Sequence, residues 1–225
     1  SNSGKSLILC NIGVNAADHG KNVLYITLEM SEKEVIKRMG SKWLKIPIDQ
    51  YDTKSKDRTY MQGKLKELTT RSAHMTENDM FNTNMGKIFI KEYASGTCTL
   101  ADIDNCVKNY EDKKGVKIDM VIVDYLTIMQ PEKGEKGSQT SLFTNGKYLS
   151  NGLRAIAQRR DLVMVTAMQI SKDQQGATDI NMNDISESKS VFENSDCIFG
   201  IIRTSQMRAE NKYIIKLLKL RSGPF

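Results

Sequence analysis

Residues Ser1–Ile26 read SNSGKSLILCNIGVNAADHGKNVLYI. A phosphate-binding loop has the form G-x-x-x-x-G-K-[ST] between a strand and a helix, and Ser3-Gly4-Lys5-Ser6 supplies its closing part. From Lys5 to Asp18 the apolar residues recur at helical spacing, and Lys21–Leu28, KNVLYITL, is a β-branched and aromatic run of strand length. A helix opening at Gly4-Lys5-Ser6 would aim its backbone N–H groups and dipole at an anion. Lys5 would then reach the outer phosphates, and the Ser6 hydroxyl would ligate Mg²⁺. The first glycine of such a loop falls upstream of Ser1, so the chain is expected to be a fragment of a longer parent, lacking the first core strand and the start of the loop.

Working outward, periods of two and of 3.6 alternate. SEKEVIKRMGSKWL (31–44) is helical, with Ser31 and Glu34 spaced as a capping box. The polar stretch Asp49–Gly86 holds one expected helix, roughly Lys56–Ser72. KIFIKEY (87–93) is a strand candidate, Thr99–Asp112 a helix, and VKIDMVIVDYLTIM (116–129) a nearly continuous apolar strand. An amphipathic helix over 141–160 precedes the strand LVMVTAMQ (162–169). Two more strand-like runs, DCIFGIIR (196–203) and NKYIIKLLKL (211–220), follow a polar stretch at 171–193. Strands alternating with helices, several of them apolar throughout, predict an α/β domain with a largely parallel sheet covered on both faces.

Bulk properties agree with one such domain over residues 1–225. The chain is 39% hydrophobic with only 3 prolines, which excludes disorder and collagen-like structure. Lys+Arg 33 against Asp+Glu 27 gives a net charge of +6, compatible with nucleic acid and equally with none. Cys10, Cys98, Cys106 and Cys197 form no C-x-x-C pair, which points to reduced thiols and a cytosolic setting. No apolar run has the roughly 18–20 residues of a membrane span.

Three polar residues sit at the ends of expected strands. Asp124 closes MVIVD, where a doubly wound sheet presents residues to its ligand crevice and an acid can hold a Mg²⁺ shell. Glu29 closes YITLE, and a carboxylate there can orient and deprotonate a water attacking a γ-phosphate. It could instead only favour the N-terminus of the next helix. Gln169 closes the strand LVMVTAMQ, and its neutral amide can hydrogen-bond the γ-phosphate and register its loss.

The segments NVLYITLEMSEKEVIKRM, DMVIVDYLTIM, VMVTAMQISK, DISESKSVFENSD and KLLKLRSGP stand in the order and spacing of the RecA-like motor domain of DnaB-type replicative helicases. The chain resembles that family from Ser1 to about Gly223, and within it the helicases of T4-like bacteriophages. The resemblance implies a RecA-like fold, hexameric rings around single-stranded DNA, and 5′-to-3′ translocation driven by ATP with Mg²⁺. Primase and a helicase loader are the implied partners, and the cytoplasm of an infected bacterial host the implied location. Residue by residue, it implies phosphate-loop roles for Ser3, Gly4, Lys5 and Ser6, and a catalytic role for Glu29. Asp124 resembles the Mg²⁺-associated aspartate and Gln169 the sensor. In KLRSG, Arg221 resembles an arginine finger that enters the neighbouring subunit's site, with Lys219 beside it.

DNA contact is implied for Ser186, Glu187, Ser188 and Lys189 in DISESKS, the segment matching the loop that faces the ring channel. The cellular family has arginine at the position of Ser186 and glycine at that of Lys189, so Lys189 would restore a cation. The loop QPEKGEKGSQTS (130–141), with its two lysines, reads as solvated. Two other functions remain open on the residues alone: a RecA-like recombinase or repair ATPase, and a nucleotide-switched binding module without unwinding.

Overall fold

The computed structural model describes residues 4–78, 85–130, 142–169 and 189–222. Helix α1 (Lys5–Asp18) leads into strand β1 (Val23–Thr27), then α2 (Glu32–Trp43), α3 (Ile48–Lys54) and α4 (Arg58–Asn78). Strand β2 (Ile88–Glu92), α5 (Leu100–Lys114), β3 (Met120–Asp124), α6 (Leu142–Arg160) and β4 (Val163–Thr166) follow. The chain continues through α7 (Lys189–Asn194), β5 (Cys197–Ile202), α8 (Ser205–Ala209) and β6 (Ile214–Leu220).

Strands β1 to β4 form one parallel sheet in the order β2-β1-β3-β4. All five residues of β1 are buried, as a strand covered on both faces requires. Alternation divides them. Val23 and Tyr25 pack with Ile122 against Leu9, Cys10 and Val14 of α1 and Val35 and Met39 of α2. Leu24 and Ile26 pack with Val121 and Val123 against Ile103 and Val107 of α5 and Leu149, Leu153 and Ile156 of α6. Each side chain buried in this way contributes about 1.5–3 kcal/mol. The result is a three-layer α/β/α body, as the alternating periods predict.

Local chemistry fixes the helix boundaries. Ser31 Oγ accepts from Glu34 N–H at the start of α2, the expected cap (3.3 Å). A complete capping box opens α5, where Thr99 Oγ1 accepts from Asp102 N–H while the Asp102 carboxylate accepts from Thr99 N–H. The helix expected near Lys56–Ser72 is α4, which Asp57 starts: its Oδ1 accepts from Tyr60 N–H (2.9 Å), and the short helix α3 before it is one that the sequence did not announce.

The apolar run 116–129 is also subdivided. It is strand only at β3, and a 3-10 turn at Leu126–Ile128 follows. Leu126 and Met129 enter the core from that turn, which is why hydropathy alone read the run as continuous.

The last two strands pair antiparallel with each other in a separate two-stranded sheet, with an irregularity between Ile198 and Phe199. Ile198, Ile202 and Leu218 of this hairpin pack on Phe192 of α7. The hairpin is tied to α6: Arg154 donates to the Asn194 carbonyl (2.7 Å) and to the Asp196 carboxylate, and Asn194 Nδ2 donates to Ser150 Oγ (2.8 Å).

Candidate functional site

In a parallel sheet every strand ends at the same edge, and α1 returns antiparallel so that its N-terminus meets that edge. Gly4 precedes α1 with φ of 90°, a left-handed conformation that glycine adopts without steric cost. It supplies no side-chain cap, and the first turn of α1 carries no acidic residue. The helix therefore presents its first N–H groups and positive end to a ligand, which is the setting in which anions bind.

Lys5 Nζ lies 5.1 Å from the centroid of the Tyr125 ring. Burial pulls the Lys5 ammonium below its ordinary pKa, opposed by the fields of Glu29 and Asp124. Those opposing fields place Lys5, Glu29 and Asp124 in one electrostatic neighbourhood. Ser6, half-buried, is the second residue of α1.

Asp124 is the last residue of β3, pairs in register with Thr27, and is fully buried. Its Oδ2 accepts from the Tyr25 hydroxyl (2.7 Å), while Oδ1 has no hydrogen-bond partner among the described residues. A buried carboxylate oxygen without a donor is costly, and a cation or a water held by one is the usual remedy. The Asp124–Tyr125 peptide is cis.

Tyr25 Oη receives the Cys10 thiol in turn (3.9 Å). Burial drives the Tyr25 phenol far above its usual pKa, with the Cys10 thiol and Asp124 adding to the shift. Burial likewise pushes the Cys10 thiol up to about 11.

Glu29 is exposed and lies two residues past the end of β1, not in the strand as read from sequence. The strand stops because Thr27 Oγ1 turns the chain, donating to the Met30 carbonyl (2.7 Å) and accepting Met30 N–H (3.2 Å). The other end of this short connection is held too. Glu92 carboxylate accepts Glu32 N–H (2.8 Å), and the Glu32 carboxylate accepts Glu92 N–H (2.9 Å). A cleft of about 270 Å³ opens beside Glu29, walled by Met30, Glu92, Tyr93, Ser95 and Tyr125. A larger hollow of about 580 Å³ between α2 and α4, at Trp43, Gly63 and Lys66, holds none of these residues.

Gln169 lies three residues past β4, on the same sheet edge but outside the strand. Lys219 belongs instead to β6 of the second sheet, and Arg221 lies one residue past its end. Lys219 Nζ donates to the Phe192 and Glu193 carbonyls (2.6 and 3.2 Å), and Arg221 donates to the Glu193 carbonyl (2.7 Å) and pairs with Asp196 (2.7 Å). Both cations thus grip the C-terminal end of α7. Burial, then the neighbouring Arg221, lowers the Lys219 pKa. Ser3, Ser186, Glu187 and Ser188 lie outside the described residues, and Lys189 is described only as the first backbone position of α7.

Sequence reading passed over Tyr25, Thr27, Glu92 and Tyr125. Tyr25 carried one usable signal: a tyrosine in the middle of a fully buried strand needs a partner for its hydroxyl. Among the described residues no group of three His, Cys, Asp or Glu side chains could hold a metal by itself. A magnesium ion fits such a site when one carboxylate and substrate phosphates share it, and Asp124 with its unpartnered oxygen and Ser6 are oxygen donors of that kind.

The whole chain, residues 1–225, matches the family profile of the DnaB-like helicase C terminal domain. It is 29% identical over 222 residues to the DnaB-like replicative helicase of Enterobacteria phage T4, covering 99% of this chain and 44% of that relative. It is 22% identical over 231 residues to the replicative DNA helicase DnaC of Bacillus subtilis (strain 168), covering 98% of this chain and 46% of that relative. The chain therefore spans less than half the length of these curated relatives.

Two solved structures share the fold over 100% of this chain at 21% identity. They are the ATPase domain of G40P, with a TM-score of 0.73 and 75% of that chain covered, and a DnaB-like replicative helicase studied with primase, with a TM-score of 0.75 and 51% covered.

Proposed function

The chain belongs to the DnaB-like helicase C-terminal domain family, and on that premise we propose that it is the ATP-hydrolysing motor of a replicative DNA helicase, moving 5′ to 3′ on single-stranded DNA and unwinding duplex. The observation that carries the reading is the uncapped start of α1 at the sheet edge where Asp124 keeps a buried oxygen without a partner among the described residues, with Lys5 in the fields of Glu29 and Asp124. Each element has a use in phosphoryl transfer, which needs positioning and charge stabilisation more than covalent chemistry.

In this mechanism the first N–H groups of α1 and the Lys5 ammonium bind the phosphates of ATP. Asp124, whose Oδ1 has no partner among the described residues, and the Ser6 hydroxyl would hold Mg²⁺, which would supply neutralisation of charge on the phosphate oxygens. Glu29, exposed at the lip of the cleft, orients a water and takes its proton. Gln169, at the same edge, reads the γ-phosphate and passes its loss to the segment that follows.

Lys219 and Arg221 supply the completing cations to a neighbouring copy's nucleotide, so that sites form between subunits of a hexameric ring. To do so they release the end of α7. Their present partners are carbonyl oxygens and one exposed carboxylate, contacts worth about 1 kcal/mol each. A transferring phosphoryl group stabilised by such a finger gains roughly 10³–10⁵ in rate, about 4–7 kcal/mol, which matches or exceeds the about 4 kcal/mol of the four tethering contacts.

Ser186 to Lys189 follow the DNA backbone in the ring channel, and the net charge of +6 suits that polyanion. Primase and a loader are the further partners proposed, in the cytoplasm of a phage-infected bacterium. Among the described residues no helix is long and apolar enough to cross a membrane.

The test is ATPase rate against concentration of the full-length protein, with and without single-stranded DNA, beside Arg221→Ala. The reading expects steep concentration dependence, DNA stimulation, and loss of roughly 10³ or more on mutation. Turnover independent of concentration and of Arg221 would place a complete site within one chain and overturn it, leaving a repair ATPase or a nucleotide-switched binding module.

A further inference from the structure

We propose that Tyr25 is a positioning residue of the metal site, its hydroxyl holding one oxygen of Asp124 so that the other is presented to a divalent cation. The proposal rests on the nucleotide–metal reading of this sheet edge. Its geometry comes from register. Thr27 pairs with Asp124 and Tyr25 with Ile122, so Tyr25 and Asp124 project from the same face of the sheet, one strand over and two residues apart. A phenol is long enough to cover that diagonal, and its hydroxyl reaches Asp124 Oδ2 at 2.7 Å.

The hydrogen inventory leaves little choice of partner. A phenol has one hydrogen to give and accepts from its neighbours. Cys10 Sγ approaches Oη as donor at 3.9 Å, so the Tyr25 hydrogen is committed to Asp124. The ring cannot swing away, because Tyr25 is 0% exposed and packed among Leu9, Cys10, Val14 and Ile122. Asp124 is 0% exposed as well, and Oδ1 is left without a partner among the described residues.

The carboxylate is therefore oriented before any cation arrives: one oxygen is bound inward by a rigid donor, and the other is kept for a ligand. Cys10 sits on α1, five residues beyond Lys5, so the same relay joins the helix that begins at the phosphate site to the strand that ends at the metal site. Partners of metal ligands that act in this way typically alter metal affinity about 10- to 100-fold when removed.

Tyr25→Phe removes the hydroxyl and keeps the ring. The readout is the affinity of the full-length protein for N-methylanthraniloyl-ADP, by fluorescence, in Mg²⁺ and in EDTA; the ratio of the two measures how strongly metal and nucleotide are coupled. The expected result is a ratio reduced about 10- to 100-fold with the EDTA affinity kept. In an Asp124→Asn background the same change should then lower the ratio no further, since both act through one contact. A Tyr25→Phe protein that melts earlier but keeps the wild-type ratio would overturn the proposal, making the hydroxyl a stabiliser of the core only.

If the wild type shows no Mg²⁺ dependence at all, the nucleotide–metal reading itself falls, a separate and distinguishable outcome that removes the proposal's ground. A second measurement needs no variant. Tyrosine labelled with ¹³C at Cζ, introduced at position 25 of the unaltered sequence, should change its NMR shift when Mg²⁺ is added to the ADP complex. An unmoved signal would also overturn the assignment.

Discussion

Gly152 on α6 faces Leu100, the first residue of α5, and a methyl group at Gly152 would lie 2.1 Å from Leu100 Cδ1, 2.9 Å from Cδ2 and 3.0 Å from Cγ. Carbon atoms prefer about 3.5–4.0 Å, so Gly152→Ala forces the two helices apart or Leu100 out of its place. Overpacking of this kind costs about 1–3 kcal/mol, while alanine in a helix interior returns about 0.8–1.0 kcal/mol. The net expectation is a loss of about 0–2 kcal/mol. Leu100 is 9% exposed, and Leu100→Ala alone should cost about 2–5 kcal/mol.

In the double variant the clash has gone and only the helix gain remains. Gly152→Ala should then stabilise a Leu100→Ala protein by about 1 kcal/mol, reversing its sign. Urea unfolding of the four proteins, compared by midpoint at constant slope, measures this directly. A Gly152→Ala effect of the same size and sign in both backgrounds would refute the packing argument. Gly86 is the contrast. A methyl there meets the Lys21 backbone carbonyl at 2.0 Å, which no side-chain truncation can relieve. Gly86→Ala should therefore be the more damaging of the two single changes.

Glu29→Gln should keep nucleotide affinity and lower ATP turnover by about 10²–10⁴, since the amide cannot accept the proton of the attacking water; full turnover in that variant, by phosphate release, would remove Glu29 as the base. Arg160 donates Nε to Asp104 Oδ1 (2.5 Å), a second nitrogen to the Asp104 carbonyl (3.0 Å) and a third to Glu111 (3.2 Å), so Arg160→Ala should cost about 1.5–3 kcal/mol at neutral pH. That loss should depend on pH with a fixed sign. The Arg160 hydrogen bond, then Arg159, holds the Asp104 carboxyl below its ordinary pKa, so the stabilisation is present above the unfolded value of about 3.9 and disappears as pH falls through the lower folded one. Thermal melts of the two proteins should converge in acid, and a gap unchanged down to strongly acidic pH would exclude this carboxylate as the cause.

The layers of the fold were legible because burial on both faces leaves an unmistakable pattern: β1 and the β3 core MVIVD are apolar at nearly every position, and the intervening helices carry caps such as Ser31 and Thr99. Strand ends were harder to read. Glu29 and Gln169 fall past the strands because side chains such as Thr27 and backbone bonds such as Leu126 N–H to the Ala167 carbonyl (3.1 Å) end or extend pairing without any hydropathic sign. The pairing of β5 with β6 was invisible, since apolar runs do not say which neighbour they will take. Tyr25 was hidden for a related reason. In a strand its aromatic ring counts as core, and only the register with β3 reveals that its hydroxyl lands on Asp124.

The two reciprocal bonds between Glu32 and Glu92, with Thr27 bound twice to Met30, have a mechanical meaning. Glu29 rides on a bracket bolted at both ends, one end to the central strand and the other, across the start of α2, to the neighbouring strand. Such a bracket transmits force and does not flex on its own. On the proposed mechanism, the moment at which Glu29 acts would be set by displacement of the whole sheet edge relative to the nucleotide, and the timing signal would come through rigid bodies that shift against one another, as one subunit's hairpin would against the next subunit's edge.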